Sequence, residues 1–303
     1  MLIDALLLLG GMLALGLLAQ KLALFPAQAA EVFHRFVLDI CLPALVYVAV
    51  SRLQWQPQLL SLALLPIGLA LLSWGLTHLV ARWRGWDRQI EGCLVLLCML
   101  GNTAFLGYPM VQGLLGAAAL SAAVVFDQLG TFVVLSTLGL SAAAWYGGGT
   151  RPSSGELLLR MLRFPAFIAL VLGFLPIALP APLFGLLERI AALLVPLALF
   201  AVGLGFKLAP PREEWTPLLY GLGLKMLLWP AVGWLVLALI AAAEPIRSVG
   251  VLQAAMPAMV TAGALASRHG LAPRLAAALV GYGVLVALPL LPLLAWLLRS
   301  TAG

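Results

Sequence analysis

Polar side chains are scarce in this chain, so the few that interrupt its apolar runs carry most of its chemical information. Gly101-Asn102-Thr103-Ala104-Phe105-Leu106-Gly107-Tyr108-Pro109-Met110 lies inside an apolar run from about Ile90 to Leu114. That run is long enough to cross a bilayer, which takes roughly 20 mostly apolar residues. An amide, a hydroxyl, glycines and a proline are poor material for the middle of such a helix. Pro109 cannot donate to the carbonyl one turn back, so Gly107 and Pro109 are expected to unwind or kink the backbone. In lipid a broken helix is tolerated only where protein or a water-filled cavity surrounds it, so the stretch is expected to line a site. A second interrupted run extends from Ser248 to Gly263, with Pro257 near its middle and Gln253, Met256 and Thr261 around it. Two interrupted segments in corresponding positions of two halves are the sequence pointer to a transporter binding site.

Half-helix N-termini at such a crossing carry partial positive charge and unpaired N–H groups, which suits a carboxylate. Asn102 and Thr103 have two readings: they bond a substrate, or they cap backbone groups freed by the break. Phe105 and Tyr108 line the cavity or anchor its packing; Gln253 and Thr261 are further polar candidates. Asp39, Asp127 and Lys225 are ionisable residues within apolar runs. A charge in mid-membrane costs about 2.5–3.5 kcal/mol by insertion scales, so each needs a partner or water. Asp39 follows Arg35 by four residues, the spacing of a helical ion pair. Asp127, beside Gln128, reads as a protonatable coupling site and Lys225 as a neutraliser of substrate charge; the alternative is that the two pair with each other or with backbone groups. His34, His78 and His269 sit near run ends, where interfacial packing is the default. No metal-ligand spacing occurs, and Cys41, Cys93 and Cys98 read as small buried hydrophobes.

These residues must be positioned by helices in a membrane. Of 303 residues 64% are hydrophobic and 9% charged, against about 25% charged in ordinary soluble domains; mean hydropathy is +1.11. The net charge of +6 is too dispersed to suggest nucleic acid. Ten apolar segments can be counted, the first five ending near Trp145 and the second five starting near Phe164. The Gly147–Gly155 stretch between them reads as a linker, so 1–146 and 161–303 are expected to be two five-helix halves joined by a cytoplasmic segment, 147–160. The first run, Leu2–Ala19, contains Asp4 and no Lys or Arg before it, which reads as a spanning helix rather than a cleaved signal. With the N-terminus outside, twelve basic residues fall inside: Lys21, Arg35, Arg82, Arg84, Arg88, Arg151, Arg160, Arg163, Lys207, Arg212, Arg268 and Arg274. Three fall outside, Arg52, Arg247 and Arg299. That bias follows the positive-inside rule and places both termini outside, which would invert one half relative to the other. Weak internal echoes agree: Leu42-Pro43-Ala44-Leu45 with Val195-Pro196-Leu197-Ala198, and Leu65-Pro66 with Trp229-Pro230.

The Gly101–Pro109 stretch resembles the asparagine-threonine-glycine-phenylalanine-x-glycine-x-proline signature of the auxin efflux carrier family, with Ala104 at the usual glycine. Ala255-Met256-Pro257 through Ala266-Ser267-Arg268-His269-Gly270 is similar to that family's ninth helix, with Ala262 where plant members have a second proline. Leu42–Leu45, Val195–Phe200 and Asp127-Gln128-Leu129-Gly130 are also similar. The resemblance covers nearly the whole chain. It implies an all-α protein of ten transmembrane helices in a 5+5 inverted repeat, with helices 4 and 9 broken and crossing, similar in fold to bile-acid/sodium symporters. It implies elevator-type alternating access in a cell membrane and a small organic acid as substrate, dicarboxylate-like in bacterial relatives and auxin in plants. The alternatives are a sodium- or proton-coupled symporter of a larger, bile-acid-like amphipathic acid, and a channel-like permease. Expected partners are the acid, H+ or Na+ as coupling ion, and the bilayer; no cofactor is expected, and a homodimer is left open. Intramembrane enzymes are disfavoured: Gly-x-Ser-Gly with a deep His, His-Glu-x-x-His and Gly-x-Gly-Asp are all missing from the sequence.

Overall fold

The computed structural model describes residues 2–26, 28–149, 152–175, 179–206 and 214–301, apart from the side chains of 2–6, 300 and 301. Asp4 as a side chain, and Arg151, Lys207 and Arg212 of the basic census, therefore lie outside the described residues. The described chain is helical, with one isolated pair of extended residues. In order, the helices are α1 (Leu2–Lys21), α2 (Ala29–Ser51), α3 (Leu59–Arg84), α4 (Arg88–Met99), α5 (103–115) and α6 (Ala117–Gly147). Then come α7 (Ser154–Leu162), α8 (Pro165–Phe174), α9 (Ala181–Leu204), α10 (Trp215–Leu239), α11 (Ile246–Ala254), α12 (Val260–Arg268) and α13 (Pro273–Thr301). Six of these, α2, α3, α6, α9, α10 and α13, are long and apolar enough to cross a membrane; α7 and α8, bent by 71°, make a seventh if they count as one.

Local chemistry sets the boundaries. Gly85 ends α3 in the left-handed conformation that a glycine adopts without a Cβ penalty. Asp87 then caps α4, its carboxylate accepting from Ile90 N at 2.8 Å. Ser153 opens α7 with a reciprocal cap to Glu156, so the expected linker is helical over its second half.

Prolines do not break α2, α5 or α10. Pro43, Pro109 and Pro230 each stand two residues beyond a π-type turn, at Val37–Cys41, Thr103–Gly107 and Leu224–Leu228. Proline removes one backbone donor and its ring presses on the carbonyl a turn earlier. A wider turn makes room for the ring and lets the helix continue. A further π-type turn, Val125–Thr131, widens α6 where α3 packs along it. Elsewhere α1 lies along the second half of α9, and α8 along α2. Cys41, Cys93 and Cys98 are buried free thiols.

Candidate functional site

Two helical runs unwind in the middle of this bundle, and their unwound residues pair. Between α4 and α5 the chain extends at Leu100 and turns at Asn102. Between α11 and α12 it unwinds over 255–259. Gly101 and Ala258 form an antiparallel bridge. Asn102 N donates to Pro257 O at 2.8 Å, and Met259 N donates to Leu100 O at 3.0 Å. Each break thus satisfies backbone groups of the other, which a protein interior requires. The first break lies at 100–102, not at Gly107 and Pro109 where the sequence reading puts it. Pro109's missing donor is absorbed by the π-type turn, so the chain stays helical there.

The polar side chains divide across this crossing. On one side Asp127, 3% exposed, accepts three bonds: from Tyr108 Oη at 2.7 Å, from Gln128 Nε2 at 2.7 Å, and from the Thr103 hydroxyl. The widened turn of α6 brings Asp127 and Gln128 inside together. Gln253 of α11 reaches across from the second broken run, its Nε2 donating to Thr103 O at 3.3 Å. Gly107 is required there: a Cβ would stand 3.0 Å from Gln253 Cδ and closer still to its Oε1.

On the other side Lys225, in the π-type turn of α10, is buried. Its Nζ lies against Gly101, 3.0 Å from where a Cβ would be, and a larger residue at 101 would displace the ammonium. No hydrogen bond or ion pair joins Lys225 to another described residue. Of the readings open for these two residues, a Lys225–Asp127 ion pair is not found: hydroxyl and amide donors hold the carboxylate, and the ammonium stands at the break. The Arg35–Asp39 ion pair is corrected: both side chains are exposed on α2, with no ion pair between them among the described residues.

At Asn102 the backbone, not the side chain, serves the break. Its backbone carbonyl caps the incoming turn, accepting from Gly107 N at 2.9 Å and Leu106 N at 3.3 Å. Its side chain makes no cap. Both Nδ2 and Oδ1 are buried without a partner, as are Gln128 Oε1 and Gln253 Oε1. An unsatisfied buried polar atom costs about 1–3 kcal/mol. Two on one side chain are expensive against a total stability of about 5–15 kcal/mol, so the amide needs water or a ligand.

A cavity of about 110 Å³ opens beside this cluster, lined by Ala104, Phe105, Asp127, Gln128, Met259 and Thr261, with Leu38 and Leu42 of α2. Drug-sized sites run to roughly 300–1,000 Å³, so this one suits a ligand of few heavy atoms. Pro257 and Met256 lie in the second break and Pro109 in α5; all three are buried, and none lines the cavity. His34, read in the sequence as interfacial packing, has its Nε2 buried without a partner, and its ring meets Phe105 edge-on at 4.8 Å. Its spacing from Leu38 and Leu42, four and eight residues, was the available signal. No group of three or more metal-ligating residues occurs among the described residues.

Known proteins resemble this chain along its length. A family model described as "Membrane transport protein" matches residues 1–295. An uncharacterized transporter of Methanothermobacter thermautotrophicus is 27% identical over 288 residues, 92% of each chain. An uncharacterized transporter of Methanocaldococcus jannaschii is 27% identical over 213 residues, 66% of this chain and 68% of its own. A Rhizobium meliloti protein, provisionally named a malonate transporter, is 26% identical over 306 residues, 96% of this chain and 94% of its own.

Proposed function

The chain belongs to the membrane transport protein family, that of the auxin efflux carriers, and from that premise we propose a secondary active transporter that carries a small organic anion of the carboxylate class across the cell membrane. The substrate is held where 100–102 meets 255–259. The observation that carries this reading is the Asn102 amide, buried with neither atom bonded. Lys225 supports it as a buried, unpaired cation beside the same break. A carboxylate that accepted from Asn102 Nδ2 while close to Lys225 would remove two unmet demands together.

Asp127 supplies the coupling. An anion enters the neighbouring cavity against a carboxylate, and two like charges in a low-dielectric site exclude one another. Protonation of Asp127, with Thr103, Tyr108 and Gln128 as its bonding partners, removes that conflict. Anion and proton therefore travel together. The Rhizobium relative's name favours a short dicarboxylate, as does the small cavity. For the fold, counting each broken pair as one span and α8 as the sixth gives ten spans, five in each half. With both termini outside, the basic residues gather on the cytoplasmic face, α7 lies at the membrane interface, and alternating access moves the crossing of one half against the other.

The test is uptake into proteoliposomes of malonate, succinate and phenylacetate, with and without proton or sodium gradients. Saturable uptake of one acid, driven by an acid-outside gradient and inhibited by its analogues, supports the proposal. Unsaturable flux, or no uptake of any acid, overturns it.

A further inference from the structure

A second cavity, about 260 Å³, lies between α6, α7 and α12. Phe132, Leu135, Phe164 and Thr261 line both this cavity and the inner one at Asp127, so the two share a wall. Within that wall Phe132 and Phe164 stack, ring centroids 4.5 Å apart and planes 20° apart. The outer cavity carries two cations, Arg160 from α7 and Arg268 from the last turn of α12. Both are exposed, and neither makes an ion pair or hydrogen bond with a described residue. Arg160 has an acid four residues before it, Glu156, the usual partner on a helix. That carboxylate is occupied instead, accepting from Ser153 N at 2.9 Å as half of the reciprocal cap. The capping of α7 thus leaves Arg160 without its helical partner and turned to the cavity.

We propose that this second cavity is a further anion site, in which Arg160 and Arg268 take the carboxylate of a small organic acid on its way between the crossing and the cytoplasmic face, past Phe132 and Phe164. Only the onward step depends on the crossover reading; binding in the outer cavity does not. Guanidinium forks match a carboxylate with two parallel hydrogen bonds. Two unpaired like charges in a concave, largely apolar wall concentrate a positive potential and raise the local concentration of anions. Exposed pairs of this kind are weak and salt-screened, which suits a transit site that must release its ligand. The Phe132–Phe164 stack separates the two cavities, and the rings must part for an acid to pass.

The experiment is calorimetric titration of the full chain in detergent with malonate and succinate at low and high salt, on four proteins. They are the wild type, Arg160→Gln/Arg268→Gln, Arg160→Lys/Arg268→Lys and Asn102→Leu. The wild type should show a weak, salt-sensitive class of sites beside a tighter one. The weak class should survive Asn102→Leu and lose affinity about tenfold, about 1.4 kcal/mol, in the double glutamine variant. The double lysine variant keeps both charges but not the forks, so its affinity should fall between those of the wild type and the double glutamine variant, which separates a loss of charge from a loss of fold. A weak class unchanged by the double glutamine variant, or missing while the tighter class is intact, overturns the outer site and leaves the crossover reading standing. A weak class present without the tighter one keeps the outer site and counts against the crossover. No binding of either acid by the wild type overturns both.

Discussion

The two broken helices pair backbone to backbone, yet they are built from opposite chemistry. The first unwinds over three residues, 100–102, and brings Asn102 and Thr103 with Gly101. The second unwinds over five, 255–259, and brings alanines, methionines and Pro257. In the first, the proline lies downstream within a helix widened to hold it; in the second, the proline is in the break itself. Lys225 approaches the first break, and Asp127 bonds Thr103, the residue directly after it. The second break donates one amide, accepts another, and supplies the floor on which Asn102 is held. One arm carries the chemistry and the other shapes it, so substitutions in the two arms should fail differently.

The largest effect expected is on coupling. Asp127→Asn fixes the side chain in a form equivalent to the protonated acid. Wild-type transport should rise as the outer pH falls over a range where the substrate's charge is constant. The variant should keep transporting with a flat pH profile. Uptake rates at matched membrane potential measure this, and a variant whose profile matches the wild type's would remove Asp127 from the coupling step.

A smaller effect separates the prolines. Pro257→Ala restores a donor within the second break and permits helix through it, which withdraws Pro257 O from Asn102 N. Transport should fall about tenfold or more, since a lost backbone bond leaves a buried group unpaired at about 1–3 kcal/mol. Pro109→Ala only lets a wide turn tighten, and should cost a few-fold at most. Equal losses, measured as uptake by protein of verified melting temperature, would break the distinction between the arms. Smallest of all is Met256→Leu, a swap of similar volume that usually costs less than about 1.5 kcal/mol. It should leave substrate affinity within about twofold in a binding titration, because Met256 does not line the cavity at Asp127.

The long helices were legible because their apolar runs are continuous: the fifth run is expected to end near Trp145, and α6 closes at Gly147. Both breaks were legible because polar residues and prolines interrupt apolar runs. The position of the first break was not, because proline acts through the turn before it and the surrounding helix chose to widen rather than open. Asp127 was legible as a buried acid, but its partners were not. Thr103 and Tyr108 are 24 and 19 residues away, and only the crossing brings them together. Charge alone suggested that Lys225 and Asp127 attract; hydroxyl and amide donors, which carry no such long-range signal, hold Asp127 instead. Arg160 was read only as a topology marker, because its freedom depends on how Glu156 is used at the cap.

The central claim is that the Asn102 amide binds substrate and does not brace the fold. Asn102→Leu keeps comparable bulk and removes both donor and acceptor, and it spares the backbone bonds at 102 that do the capping. Substrate affinity and melting temperature should be measured on the same purified protein. One or two hydrogen bonds to a charged group, each worth roughly 1.5–3 kcal/mol, correspond to an affinity loss of about tenfold to a hundredfold per bond. The account predicts that loss with a melting temperature unchanged or raised, since two unmet polar atoms disappear. Near-normal affinity together with a large fall in melting temperature would contradict it.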